Sequence, residues 1–164
     1  MGAFDLFEKN LNLQTEMDRF MFGSGVEAPK GRDIIYRRIR LDSNNSPIKC
    51  ACVSNITDEA DKDTYCPYCL GSKYYWDEEF VKAYWHRPGA DDNLVVYFNH
   101  DVAPSGLDEL ITVKFDDDGN TIAPIERVKI YNILPVDLLR EDYGELAYYR
   151  VVAAPMNRRY MGPQ

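Results

Sequence analysis

The sequence predicts a mainly β chain: a small antiparallel β-barrel or sandwich, carrying a four-cysteine insertion and entered by an N-terminal helical arm. Three observations lead there. After residue 93, four runs rich in β-branched and aromatic residues (NLVVYFNH, LITVKF, ERVKIYNIL and LAYYRVVAA) alternate with turn chemistry, the pattern of consecutive antiparallel strands. Nothing alternates a strand with a long helix, which argues against a doubly wound fold. All the cysteines, Cys50, Cys52, Cys66 and Cys69, fall in one early window.

Taken in order, residues 4–22 place apolar groups at Phe4, Phe7 and Leu11, then at Leu13, Met17, Phe20 and Met21. Spacings of three and four are helical, and Thr15 followed by Asp18 offers a cap for a second short helix. FGSGVEAPKG then breaks the pattern, so residues 1–30 read as a helical arm and linker. Such an arm either reaches a neighbouring subunit or packs its apolar stripe on its own domain. Residues 31–155 form the β domain, interrupted by an insertion over 48–88, and residues 156–164 form a polar, basic C-terminal tail. Within the domain, DIIYRRIRL (33–41) reads as a strand. One face carries Ile35, Arg37, Ile39 and Leu41, the other Ile34, Tyr36, Arg38 and Arg40, a partly basic side. DSNNSP is a turn, VAPSGLDE a loop, DDDGN a tight turn, and PVDLLREDYGE a loop before the last strand.

Composition narrows the function. The 164 residues carry 19 Lys and Arg against 27 Asp and Glu, a formal charge of −8. A free-standing duplex-DNA reader would show a basic face. Twelve tyrosines suit strands and interfaces, because Tyr joins an apolar body to a polar tip. No run approaches the length of a membrane span. MGAFDLFEKN has no basic and apolar leader, and Leu6 stands where a myristoylation signal wants Ser or Thr. The cysteines are therefore expected in a reducing compartment, as metal ligands or redox groups rather than disulfides. There is no G-x-G-x-x-G and no P-loop.

The cysteine spacing is C-x-C, thirteen residues, then C-x-x-C. Two close pairs can fold back into a tetrahedron of sulfurs, the closed all-thiolate set of a structural zinc site. Tyr65-Cys66-Pro67-Tyr68-Cys69-Leu70-Gly71 has the form of a zinc-ribbon knuckle. Its glycine lets backbone amides turn towards the sulfurs. The first pair makes a tighter, less regular turn. Cys50, Cys52, Cys66 and Cys69 are thus the expected metal ligands, with Zn²⁺ as the structural cofactor. A disulfide needs an oxidising compartment, a redox C-x-x-C needs a βαβ setting, and an iron–sulfur cluster is chemically allowed by four thiolates. Zinc binding would make the chain two charges more negative.

After the knuckle, Trp76, Phe80 and Tyr84 recur every four residues, as do Val81 and Trp85. This fits a short helix or a strand pair with one aromatic face. These rings are expected to pack over the metal site or dock it on the parent domain, with a protein-binding patch as the sharper reading. Base stacking is disfavoured by Asp77, Glu78 and Glu79. Asp116 to Asn120 fail as a calcium loop, since the sixth and twelfth places hold Thr121 and Arg127. Ser105, His86 and His100 form no recognisable nucleophile set, the histidines being loop-edge residues, so no catalytic residue and no enzyme activity is expected.

The stretch Ile125-Glu126-Arg127-Val128-Lys129-Ile130-Tyr131-Asn132-Ile133, the Asp142-Tyr143-Gly144 loop and Tyr148-Tyr149-Arg150-Val151 resemble the closing hairpin of tailed-bacteriophage head-closure proteins. These are the stopper or head–tail connector subunits of the neck. In some members a cysteine knuckle interrupts the small barrel, and Cys66-Pro67-Tyr68-Cys69-Leu70-Gly71 looks like its second half; the C-x-C pair departs from the commoner form. The resemblance covers about residues 33–155. It implies a structural virion protein, made in the host cytoplasm and assembled as a sixfold or twelvefold homo-oligomeric ring between portal and tail. Its partners would be its own copies, the portal and the tail or tail-terminator proteins. DNA would pass through the channel without sequence-specific binding, repelled by an acidic lumen, and no membrane is involved. The alternative is a small zinc-ribbon adaptor that binds nucleic acid or a transcription or replication complex.

Overall fold

The computed structural model describes residues 12–60, 66–140 and 146–156. One helix, α1 (Leu13–Phe22), precedes six strands: β1 (Arg32–Ile39), β2 (Trp76–His86), β3 (Leu94–Asn99), β4 (Glu109–Val113), β5 (Arg127–Arg140) and β6 (Leu146–Pro155). They close into a barrel in the order β1-β2-β3-β6-β5-β4, every pair antiparallel. Two three-stranded meanders, β1-β2-β3 and β4-β5-β6, are thus joined edge to edge, and the chain crosses one end of the barrel between β3 and β4.

All six strands feed the interior. Ile34, Tyr36, Ala83, Leu94, Val96, Phe98, Leu110, Tyr131, Ile133, Tyr149, Val151 and Ala153 form one buried cluster. A barrel of this strand number has room only for side chains, and the rings of Tyr36, Phe98, Tyr131 and Tyr149 with the small Ala83 and Ala153 are among those that fill it. Tyr36, Tyr131 and Tyr149 lie here, so part of the tyrosine surplus serves the core rather than interfaces. The β1 face read as partly basic, with Ile34 and Tyr36, is the interior one. The face with Ile35 and Arg37 is covered too: Ile35, Ile111, Val113 and Ile130 make a second cluster, and Leu70 caps it from the cysteine lobe.

Three expectations need correction. The insertion does not run to residue 88, because 76–86 is barrel strand β2, paired with β1 from Ile39↔Trp76 to Arg32↔Ala83. The aromatic repeat is therefore neither a helix nor part of the lobe. The loop expected from Pro135 begins later: β5 continues to Arg140, with a register irregularity between Ile133 and Val136 that accommodates the proline. The α1 cap is Asn12, whose side chain accepts from the Thr15 amide; Thr15 lies inside the helix.

α1 lies on its own barrel. Met21 is fully buried, Phe20 meets Tyr84 edge-on at 5.2 Å, and the Gln14 side-chain amide donates to the Leu146 carbonyl. The chain returns closely at Gly31, where a Cβ would stand 2.7 Å from the Met21 carbonyl oxygen. The apolar positions at Phe4, Phe7 and Leu11, and the tail beyond Met156, fall outside the described residues. Met156 still belongs to the domain, packing on the second cluster and donating its amide to the Ile130 carbonyl.

Candidate metal centre

The lobe between β1 and β2 is built from two turns held side by side. Lys49 bridges to Tyr74, the Cys50 amide donates to the Lys73 carbonyl at 2.7 Å, and the Tyr75 amide donates to the Ile48 carbonyl at 3.0 Å. This short ladder sets the C-x-C turn against the C-x-x-C turn. In the second turn the Leu70 amide donates to the Cys66 carbonyl and the Ser72 amide to the Cys69 carbonyl. Leu70 and Gly71 both take positive φ, 50° and 80°, and Gly71 meets that requirement at no steric cost. The Tyr75 hydroxyl accepts from the Ala51 amide at 3.1 Å, which steadies the residue between the first two cysteines.

These turns bring the four expected ligands together. The sulfurs of Cys50, Cys52, Cys66 and Cys69 lie within 4.8 Å of one another. Cys50 to Cys66 is 3.5 Å and Cys52 to Cys69 is 3.4 Å. A disulfide would need about 2.05 Å, and all four are free thiols. Tetrahedral thiolate zinc, with Zn–S near 2.3 Å, needs sulfurs about 3.8 Å apart. The donor set and spacing therefore fit a four-thiolate metal ion. Cys50 and Cys69 are buried, as a closed site requires.

Electrostatics distinguish the thiols. Burial pushes the Cys50 thiol up. Burial also opposes ionisation of Cys66, but the amides of Cys69 and Tyr68, with help from the Cys50 and Cys52 thiols, outweigh it and bring Cys66 down to about 7. A thiol so lowered is readily deprotonated, the form in which sulfur binds a metal.

Neither histidine joins the cluster. His86 ends β2, its ring 6.3 Å from Tyr84 and 6.0 Å from Tyr97. His100 follows β3 beside Asp101, at 3.2 Å. Ser105 serves a fold contact, its amide donating to the Tyr36 hydroxyl at 3.2 Å. Asp116 makes a turn, its Oδ1 accepting from the amides of Asp118 and Asn120.

Arg37 is the residue that sequence reasoning missed. Its side chain is fully buried on the outer face of β1. It pairs with Glu109 at 2.8 Å and Glu78 at 3.0 Å, lies 4.9 Å over the Trp76 ring, and donates to the Tyr68 carbonyl at 3.1 Å. Glu78 also pairs with Arg127 at 2.7 Å. The Arg37 guanidinium and Leu70, together with the Trp76 indole N–H donated to the Ser72 hydroxyl at 2.6 Å, tie the lobe to the wall. The available signal was an arginine amid a β-branched run, opposite acids in the paired strands.

Fold and site together define a class: a closed six-stranded antiparallel barrel with a four-thiol lobe docked on its outer wall. Comparison with protein-family models gives no match, and comparison with curated proteins gives none either. Among the described residues, no helix is long and apolar enough to cross a membrane.

Proposed function

We propose that the four thiolates hold a structural zinc ion and that the chain is a structural virion protein of a tailed phage, forming a ring in the neck between portal and tail. The observation that carries this reading is the placement of the cysteine lobe. It interrupts a small closed barrel between β1 and β2, the arrangement implied by the resemblance to head-closure proteins. A brick in a ring also needs contact surface. Phe20, Phe22, Phe80 and Tyr84 are exposed, and a head-to-tail ring needs two unlike faces on each copy. The acidic balance suits a channel that must release DNA.

The test is mass measurement of purified particles. This reading expects the chain in multiple copies per virion at the neck, and its absence from particles would overturn it. The adaptor alternative draws on the ring row Tyr84–Tyr97–Tyr148, with centroids 6.2 Å apart at each step, since such rows stack bases. Binding to DNA with a steep salt slope would favour that alternative.

A further inference from the structure

The Tyr68–Cys69 peptide sits between a guanidinium and a sulfur. Its carbonyl accepts from Arg37 Nη2 at 3.1 Å, and its nitrogen belongs to Cys69, whose sulfur lies within 4.8 Å of the other three. In a trans peptide the C=O and N–H point in opposite directions, so a group that fixes one end aims the other. Arg37 is well placed to do this. It is clamped by Glu109 and Glu78 and stacked on Trp76, and a planar fork loses little freedom when so held. A four-thiolate zinc centre carries a net charge of −2, and this buried cation stands one peptide away from it.

We propose that Arg37 is a positioning residue for the metal centre, holding the Tyr68–Cys69 peptide and with it the C-x-x-C turn that presents Cys66 and Cys69. This rests on the reading of the four cysteines as a metal site. Partners that orient metal ligands typically change metal affinity 10–100-fold when removed. Docking of the lobe through Leu70 is a separate matter, because that contact touches Ile35, Ile111, Val113 and Ile130 rather than the peptide.

Zinc affinity of the full-length protein, measured by chelator competition, tests this. Arg37→Met should weaken zinc roughly 10–100-fold, and Arg37→Lys should recover part of the loss. The double variant Arg37→Met/Glu109→Leu removes the buried carboxylate along with its partner, so no orphan charge confounds folding. It should show the same weakening. Ile130→Ala loosens docking alone and should leave zinc affinity within about threefold. Wild-type affinity in the folded double variant would overturn the proposal. So would equal losses in Ile130→Ala and the Arg37 variants, which would make Arg37 a docking group only. Failure of the wild-type protein to bind zinc would instead overturn the reading of the cysteines.

Discussion

Asp108 is nearly fully buried at the barrel end where β3 crosses to β4. Its Oδ2 accepts from the Tyr36 hydroxyl at 2.5 Å and its Oδ1 accepts from the Ile39 amide at 3.0 Å. Arg38 stacks 4.9 Å over the Tyr36 ring and donates to the Val102 carbonyl at 2.9 Å, tying the crossing segment to β1. Tyr36→Phe removes one donor from a buried carboxylate and should cost about 1–3 kcal/mol in urea unfolding. Burial first, then the hydrogen bond and charge of Asp108, hold the Tyr36 hydroxyl well above its ordinary range. The unfolded chain ionises this tyrosine near pH 10, while the folded chain keeps it neutral. Its contribution is therefore complete below about pH 10 and falls above it by up to about 1.4 kcal/mol per pH unit. Tyr36→Phe should lose that share of the alkaline slope, and unfolding at several pH values from 9 to 11 checks it. The gathering of the four cysteines was legible in the sequence because each pair is local and the ribbon-like spacing constrains the rest. Arg37 and Asp108 were not, because their partners are distant: Arg37 reaches residues 31 and 72 positions away, and Tyr36 meets Asp108 across 72.

β2 shows why an element can be misread. A four-residue recurrence at Trp76, Phe80 and Tyr84 satisfies a strand face as well as a helix stripe. Pairing with β1 decides for the strand, leaving Phe80 and Tyr84 outward while Ala83 enters the core and Val81 and Trp85 pack against it. β5 runs on through Pro135, although a missing amide argues against a central strand, because beyond Asn132 the β4 ladder has ended. That edge needs no donor from the proline. The four strands after residue 93 were all legible from β-branched runs and turn chemistry, and so was the hairpin turn at Asp116. At this scale the lobe and wall share Leu70, which is 4 % exposed. Releasing a buried leucine costs about 1.5–3 kcal/mol. Chelation of the proposed zinc should lower the barrel's unfolding free energy by about 2 kcal/mol, read by denaturant titration with and without chelator. An unchanged midpoint would mean that the lobe stays docked without metal.

The molecule as a whole joins a hydrophobic barrel to a thiol-bearing lobe. The barrel interior draws on all six strands and, among the described residues, on none of the lobe. Among the described residues, the lobe is held by its short backbone ladder, by Arg37 and by Leu70. With zinc held as proposed, Cys66→Ser or Cys69→Ser should release it and expose amides of residues 48–60 and 66–75 to exchange, while β3 to β6 remain protected. Collapse of those strands in hydrogen exchange would contradict this division. Closure of the barrel was not legible beyond the choice between barrel and sandwich, since it depends on β1 meeting β4 and β3 meeting β6, pairings that no local pattern encodes. The most direct measurement is metal content and ligation of the protein purified under reducing conditions, by native mass spectrometry with X-ray absorption at the metal edge. The account predicts one zinc per chain with four sulfurs at about 2.3 Å. A folded chain that takes up no metal, or one whose cysteines prove to be joined in disulfides, would contradict it.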